Sequence, residues 1–401
     1  MKRWLAIAAM FLSVTFPSGL IAGTSDIQTR QEEKISLSTK VPVHLYGFVS
    51  AEGMYSDSQL SSFGTLNNDP ANYNRTMPGF NRVVDESIDG NNDAFISGTI
   101  QNTRFGFSLE PYDFGGKKFT VAARLEMDFF STTELSISSV RPRIRRAYAC
   151  LGTGKGHILF GHEWEIFSPL NTSTLNIGGN LWQQGNLGFR RPQIALSYNF
   201  DVGQKSKIET TGSVNLPSNS MAFNDNGNTT GIPMLQGRLG FLHPLPDGEM
   251  KAYVSGVYAR HKNAVAGAEQ VNNWGIAASI EVPAHKLFVP SAEFHYGYSL
   301  GALLSISSDT SRQRTISGWG QVKSLWLDWF ETNVGYGCET LKSSEVAAGF
   351  VRRNQMGFAN VQFKPVPSFV IGLEYNYMRT NYQGTGASEA NAFLSNILYF
   401  F

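Results

Sequence analysis

Between Phe119 and Phe129 apolar and polar side chains alternate almost without a break. Phe119, Val121, Ala123, Leu125, Met127 and Phe129 fall on one face, and Thr120, Ala122, Arg124, Glu126 and Asp128 on the other. A period of two belongs to a strand, because successive side chains leave opposite faces of a pleated backbone. In a soluble sandwich the apolar face would be core. In a membrane barrel it would meet lipid, and the charged face would line water. A segment of this length also matches a tilted strand crossing a bilayer.

The pattern recurs along the chain. Phe105, Phe107 and Leu109 oppose Arg104, Ser108 and Glu110. Ile194, Leu196, Tyr198 and Phe200 oppose Gln193, Ser197 and Asn199. Trp274, Ile276, Ala278, Ile280 and Val282 oppose Asn273, Ser279 and Glu281. Phe369, Ile371, Leu373, Tyr375 and Tyr377 oppose Glu374 and Asn376. The segments 43–55, 102–110, 118–129, 142–151, 157–165, 191–201, 205–215, 234–243, 250–262, 271–283, 286–299, 315–326, 329–340, 352–364, 368–380 and 392–401 read as sixteen strands.

Their connections alternate. Short ones at 111–117, 152–156, 201–204, 244–249, 283–286, 327–328 and 365–367 carry Gly, Pro and Asp, the residues of tight turns. Longer polar ones fall near 56–101, 130–141, 166–190, 216–233, 263–270, 300–314, 341–351 and 381–391. Such asymmetry is expected of an all-β transmembrane antiparallel barrel, and an even strand number puts both termini in the periplasm. The segment Phe393–Phe401 has apolar residues at alternate positions and ends on Phe401. An exposed apolar edge invites aggregation, so this strand is expected to pair with Val43–Tyr55 and close the barrel. Ile397, Tyr399 and Phe401 would then face lipid or a neighbouring subunit.

Residues 1–23 read as a signal peptide, with Lys2 and Arg3 ahead of the apolar run Trp4–Phe16 and a cleavage site near Ala22 or Gly23. Residues 24–40 read as a short periplasmic segment and 41–401 as the barrel. Removal of the leader leaves a nearly neutral chain, which argues against a nucleic-acid partner. Cys150 and Cys338 cannot make a disulfide framework, and the strand register sends both outward as unpaired thiols.

Motifs for chemistry are missing their essential members. Gly152-Thr-Gly-Lys-Gly156 lacks both the spacing and the Ser or Thr of a phosphate loop, and reads as a turn. His162-Glu163 begins like a zincin helix, but Ile166 stands where the second His is needed. His295 falls on an inward face, away from the outer wall where a barrel lipase needs its Ser–His pair. The reading is of no enzyme, no metal and no cofactor.

Charge on the inward register is the functional candidate. Arg104, Arg124, Arg143, Arg145, Arg191 and Arg238 all occupy it, the first four on three neighbouring strands, with Glu126 and Asp128 on the same wall and Glu163 and Glu165 nearby. Such a wall can concentrate anions and grip carboxylates bidentately. The same arginines can instead brace the barrel by pairing with these acids, and the two roles can coexist. Arg146 is anomalous: counting from Ile144 places it towards lipid, where a charge costs about 2–4 kcal/mol near the midplane. Cover by a neighbouring subunit would relieve it. The loop at 166–190, rich in Asn, Gln, Gly and Leu and carrying Trp182, follows the fifth strand and is expected to fold into the lumen as a constriction.

Thr103-Arg-Phe-Gly-Phe107, Ala123-Arg-Leu-Glu-Met-Asp-Phe-Phe130 and Arg143-Ile-Arg-Arg-Ala-Tyr148 resemble the DcaP-like outer-membrane porins. So do Leu159-Phe-Gly-His-Glu-Trp164, with His162 where that family usually has Gln, and Asn360-Val-Gln-Phe-Lys-Pro-Val-Pro367 followed by Gly372-Leu-Glu-Tyr375. The resemblance implies a homotrimer of sixteen-stranded barrels in the outer membrane that passes small anionic solutes such as dicarboxylates. Arg104, Arg124, Arg143 and Arg145 would be the matching basic positions. The terminal Phe401 looks like the signal read by the barrel assembly machinery. Residues 24–40 are too short for the N-terminal helical extension common in that family. The resulting expectation is a passive diffusion channel embedded in outer-membrane lipid. The alternative is a closed structural or adhesive barrel whose loops bind a partner, supported by Asp85, Glu86, Asp89 and Asp93 in the long first loop.

Overall fold

The computed structural model describes residues 43–62, 80–85, 93–113, 119–129, 141–177, 179–217, 227–262 and 269–401. The expected leader and the segment 24–40 lie outside the described residues, as does most of the connection 130–141. The described strands are β1 (Val43–Ser56), β2 (Leu60–Ser62), β3 (Phe80–Val83), β4 (Phe95–Thr99), β5 (Arg104–Asp113), β6 (Thr120–Asp128), β7 (Arg143–Thr153), β8 (Gly156–Trp164), β9 (Arg190–Val202) and β10 (Ser206–Asn215). They continue with β11 (Met234–Leu245), β12 (Gly248–Lys262), β13 (Gln270–Glu281), β14 (Val289–Tyr298), β15 (Arg314–Leu327), β16 (Phe330–Leu341), β17 (Val351–Val366), β18 (Phe369–Tyr382) and β19 (Gly386–Phe400).

Consecutive strands from β5 to β19 pair antiparallel, each with the next. β4 and β5 act as one strand, because both lie along β1: Tyr55 faces Ile96 and Leu45 faces Phe107. β1 also pairs with β19, from Phe48 opposite Phe400 to Ser56 opposite Ala392. The result is a closed antiparallel barrel of sixteen wall strands. Phe401 continues the seam, exchanging backbone hydrogen bonds of 3.1 Å with Gly47. Phe393, Ile397, Tyr399 and Phe401 are exposed on the outer face, as the alternation requires. The connection expected from 56 to 101 is the one clear departure in strand content, since it contains β4 and the small β2–β3 hairpin.

The distribution of polarity is inverted relative to a water-soluble domain. Leu196, Leu239, Val254 and Val334 are more than half exposed, while Asn333, Asn354, Asn376 and Thr380 are fully buried. The wall strands thus send mainly apolar side chains out and mainly polar ones in, with Val257, Met356, Phe358 and Met378 among the inward apolar exceptions. Backbone amides are satisfied by the ladder, and closure leaves no free edge, which is what lets strands cross hydrocarbon.

Candidate functional site in the barrel lumen

The segment between β8 and β9 lies inside the barrel. It has no regular structure, so its backbone N–H groups need acceptors where water is scarce. Side chains of the wall supply them. Gln236 Oε1 accepts from the N–H groups of Ile166 and Phe167 at 3.0 and 3.1 Å. Glu293 accepts from Ser168 Oγ at 2.6 Å and Leu170 N–H at 2.9 Å. Gln321 accepts from Ser173 N–H at 2.7 Å. Glu374 accepts from Thr174 Oγ1 at 2.6 Å and Leu175 N–H at 2.7 Å. The loop thus passes along β11, β14, β15 and β18. Its return leg presses on wall backbone: Gly185 adopts φ +124°, and a Cβ there would collide with the carbonyl of Gly318. Phe189 N–H closes the loop on Glu165 Oε1 at 2.5 Å. This is the expected constriction loop.

A second inward segment was not foreseen. Phe80–Asp85, from the first long connection, is buried. Thr380 Oγ1 accepts from Val83 N–H at 2.9 Å, and Tyr382 OH donates to the Val83 carbonyl at 2.6 Å. Asn176 Nδ2 donates to the Phe80 carbonyl at 2.7 Å, and Asn81 Nδ2 to Gln183 Oε1 at 3.0 Å, so the two inner segments are bonded to each other. Asp85, offered as a partner-binding acid, is buried and accepts from Thr385 Oγ1 at 3.0 Å. Glu86 and Asp89 lie outside the described residues.

The arginine wall forms on β5, β6 and β7, and its members differ in how they are partnered. Arg143 makes a bidentate pair with Asp128, at 3.0 and 2.7 Å. Arg145 bridges Glu126 at 2.9 Å and Asp128 at 3.0 Å. Arg104 stands 3.8 Å from Glu126 with its guanidinium over the Phe48 ring. Arg124 has no carboxylate within ion-pair distance among the described residues. Its guanidinium sits 5.1 Å over the Tyr46 ring, and Tyr46 OH in turn donates to Glu126 at 3.1 Å.

Arg146 does not face lipid. A β-bulge interrupts the β6–β7 pairing, where Glu126 faces Arg146 and the next pair is Met127 with Ile144. Arg145 is the extra residue, so the side-chain alternation slips by one. Arg143, Arg145 and Arg146 all turn inward, and Arg146 pairs with Glu163 at 2.7 Å. The slip also corrects the cysteines. Cys150 lies opposite Ala122 and Leu159, on the lumen register with Arg124, while Cys338 remains on the outer face, 3.3 Å from Arg353 Nε.

Arg191 is inward but fully buried. It pairs with Glu165 at 2.8 Å and donates to the carbonyls of Ala302 and Leu216 at 2.7 and 3.1 Å. Glu165 also accepts from Gln236 at 2.6 Å. Arg191 is therefore a brace joining three connections and does not line a free path. Arg238 pairs with Glu209 at 2.7 Å over the Tyr253 ring. With Arg146, Glu163 and Glu165 it borders a lumen pocket of about 340 Å³ under the inner loop.

Two features were missed in the sequence. Arg190 is 2% exposed, has no carboxylate partner among the described residues, and is sandwiched by Trp164 and Phe189 at 4.7 and 4.5 Å. The Arg190–Arg191 doublet opening β9 was its available signal. His295 Nε2 lies 3.2 Å from Ser168 Oγ, but Glu293 bonds the serine directly and Ser317 occupies His295 Nδ1 at 3.3 Å. A nucleophile relay needs the carboxylate on the far side of the imidazole, so this cluster acts as a loop anchor.

No protein-family model and no curated protein matches the chain. Solved structures do. The outer-membrane channel DcaP of Acinetobacter baumannii superposes with a TM-score of 0.69 at 18% identity, covering 90% of this chain and 97% of that one. The fold is that of the outer-membrane porins. An anion-selective porin from Comamonas acidovorans matches with a TM-score of 0.57 at 12% identity, over 90% of this chain and 99% of that one. OmpF of Salmonella typhi, solved with daunomycin, matches with 0.56 at 11%, over 90% and 97%. At these identities the likeness is one of fold.

Proposed function

We propose that the chain is a passive diffusion channel for small hydrophilic solutes, favouring anions such as dicarboxylates. The observation that carries this reading is the set of five inward arginines on β5–β7 (Arg104, Arg124, Arg143, Arg145 and Arg146), facing Glu126, Asp128 and Glu163 on the same wall. Cations outnumber carboxylates there, and Arg124 has no carboxylate partner among the described residues. In a confined lumen such a surplus draws anions in. Arg104 and Arg124 are the positions with guanidinium donors left to offer a solute carboxylate, and planar forks suit that geometry.

In this reading the longer connections face the exterior and both termini the periplasm. The apolar outer wall sits in outer-membrane lipid, and Phe401, already in the closing seam, is the residue the assembly machinery reads. A homotrimer is supported by a related OmpT of Vibrio cholerae solved as a trimer, at a TM-score of 0.53. Arg146 no longer argues for one, since its partner is Glu163 of the same chain.

Planar-bilayer recording tests the channel. Stepwise conductance from folded protein is expected, and silence would overturn the proposal in favour of a closed barrel. Reversal potential in a salt gradient tests anion preference, and light scattering in detergent tests the trimer.

A further inference from the structure

Under the constriction loop the lumen changes character. The pocket of about 340 Å³ there is bordered by two cations, Arg146 and Arg238, and both are answered. Arg146 Nε reaches the two oxygens of Glu163 at 3.0 and 2.8 Å, and Arg238 pairs with Glu209 at 2.7 Å. The pocket's carboxylates are engaged in turn. Glu163 also accepts from Trp164 N–H at 2.7 Å, and Glu165 is held by Arg191 at 2.8 Å and Gln236 at 2.6 Å. The positive surplus of the β5–β7 wall thus stops at the pocket's edge. What the pocket can offer a solute is chiefly neutral.

The neutral groups include both donors and acceptors, and several are open. Gln193 is 5% exposed. Its Nε2 donates to the carbonyls of Glu163 and Trp164 at 3.0 and 2.7 Å, which fixes the amide. Its Oε1 accepts from no group among the described residues, a costly state for a buried acceptor until a donor reaches it. The Tyr148 hydroxyl and the His157 imidazole, half-buried on the same pocket, make no hydrogen bond among the described residues. Ser197 and Thr211 bond each other at 3.0 Å, which uses one hydroxyl hydrogen and leaves the other. Strand register joins these groups to the arginine wall. Arg124 faces Tyr148, Tyr148 faces Gly161 and Gly161 faces Gln193, in one row across β6 to β9. Gly161 brings no side chain, so Tyr148 and Gln193 stand about 10 Å apart with no wall side chain between them in that row.

We propose that this pocket is a subsite for a polyhydroxylated carboxylic acid, the class of the sugar acids. Its carboxylate meets Arg124, and its hydroxyls meet Tyr148, Gln193 and the Ser197–Thr211 pair. The choice of class rests on what each group still lacks. A plain dicarboxylate carries acceptors only at neutral pH and gives nothing to Gln193 Oε1. An ammonium-bearing solute needs an unengaged carboxylate, and Glu163 and Glu165 are both taken. A neutral sugar leaves the Arg124 guanidinium without its carboxylate. A hydroxyl both donates and accepts, so a chain of hydroxyls ending in a carboxylate serves all of these groups together. Small-ligand pockets begin at about this volume. The proposal narrows the anion preference argued above, and rests on that reading for the solute's entry into the lumen.

The test uses the folded protein in detergent, titration calorimetry, and probes built on one carbon chain. Galactarate carries carboxylates and hydroxyls, adipate carboxylates alone, and galactitol hydroxyls alone. Wild type is expected to bind galactarate about tenfold more tightly than either of the others. Combined Tyr148→Phe, Ser197→Ala and Thr211→Val removes hydroxyls with little change of shape. It should weaken galactarate about tenfold, to the level of adipate, and leave adipate unchanged. Arg124→Ala should weaken galactarate and adipate alike. Heat-modifiable migration checks that each variant is folded, and if one is not, the wild-type comparison decides alone. Equal binding of adipate or of galactitol by wild type overturns the proposal. So does undiminished galactarate binding by the folded triple variant or by folded Arg124→Ala. Planar-bilayer recording separates this subsite from the channel reading. A silent wild type that binds galactarate over adipate would sink only the channel, and a conducting wild type that treats the two alike would sink only the subsite.

Discussion

The two sides of the lumen hold their charges differently. On β14 to β18 three inward carboxylates, Glu293, Glu339 and Glu374, are each occupied by a chain segment crossing the interior, while Glu331 pairs with Lys323 and Lys364 of the wall. Glu293 and Glu374 take backbone N–H groups of the constriction loop, and Glu339 takes the Ser305 hydroxyl and the Ile306 N–H of the connection after β14. On β5 to β7 the inward groups are arginines, and what they meet is a shorter set of acids on their own wall. One side spends its charge on fixing a loop, and the other keeps a surplus open to the lumen. A formally neutral interior can therefore present one sign to a solute, because a carboxylate committed to backbone donors is lost to everything else.

The most severe way to break this division is to empty the anchoring side. Glu293→Ala with Glu374→Ala removes four hydrogen bonds from the loop and leaves the N–H groups of Leu170 and Leu175 without acceptors. Each orphaned buried donor costs about 1–3 kcal/mol. The loop should leave the wall, and single-channel conductance should rise severalfold with added noise. Unchanged conductance would mean that apolar packing of Phe167, Leu181 and Leu187 holds the loop without the glutamates.

Arg191→Met comes next. It removes the cation from a fully buried pair with Glu165 and cuts the links to Ala302 and Leu216. An uncompensated buried charge costs about 3–5 kcal/mol. The temperature at which heat-modifiable migration is lost should fall clearly, while reversal potential stays near wild type. A large selectivity change with no stability change would move Arg191 from the bracing group to the solute path.

The basic wall sharpens the comparison within itself. Arg124→Ala should shift reversal potential away from anions more than Arg143→Ala, because Asp128 already answers Arg143 in a bidentate pair. Adding Arg145→Ala should shift it further, since Glu126 and Asp128 are then exposed to the lumen. Equal effects of the two single substitutions would mean that net charge governs selectivity and local pairing does not. No effect from any of them would leave bracing as their whole role.

The strand content was legible because alternation is local: each strand announces its faces in its own ten or so residues. The inward position of the constriction loop was also readable, from its place after the fifth strand. Facing on β7 was misread for one reason. The bulge at Arg145 adds a single residue, and every side chain after it changes sides, which misplaced Arg146 and Cys150 together. The composition held a clue: Ala147, Ala149 and Leu151 make a better lipid face than Arg146, Tyr148 and Cys150. The anchors were not readable at all. Glu374 meets Thr174 and Leu175 about two hundred residues earlier in the chain, and Val83 meets Thr380 and Tyr382 across most of the barrel sequence. No local pattern distinguishes an inward Glu that will take a loop from one that will line water.

The smallest effect contrasts a buried anchor with an exposed one. Outside the membrane band, Glu345 ties its connection to the start of β15, accepting from Arg314 Nε at 2.8 Å and from Arg314 N–H at 2.7 Å. The Arg314 guanidinium, and then that backbone N–H, hold the Glu345 carboxyl below its usual value of 4.5. A carboxylate with a lowered folded value contributes above its unfolded value and loses that contribution as pH falls through the lowered one. The tether should therefore be intact at neutral pH and fail only below about pH 4.5. Because Arg314 is largely in solvent, salt should weaken it as well. Proteolysis of the 342–350 connection should rise under acid or high salt with no change in global unfolding. The anchors at Glu293 and Glu374 lie out of reach of salt, so conductance at neutral pH should scale with bulk electrolyte and show no loop release. If conductance broke from that scaling at the salt concentration where the rim connection becomes cleavable, the interior anchors would be as exposed as the outer one, and the division between the two walls would not hold.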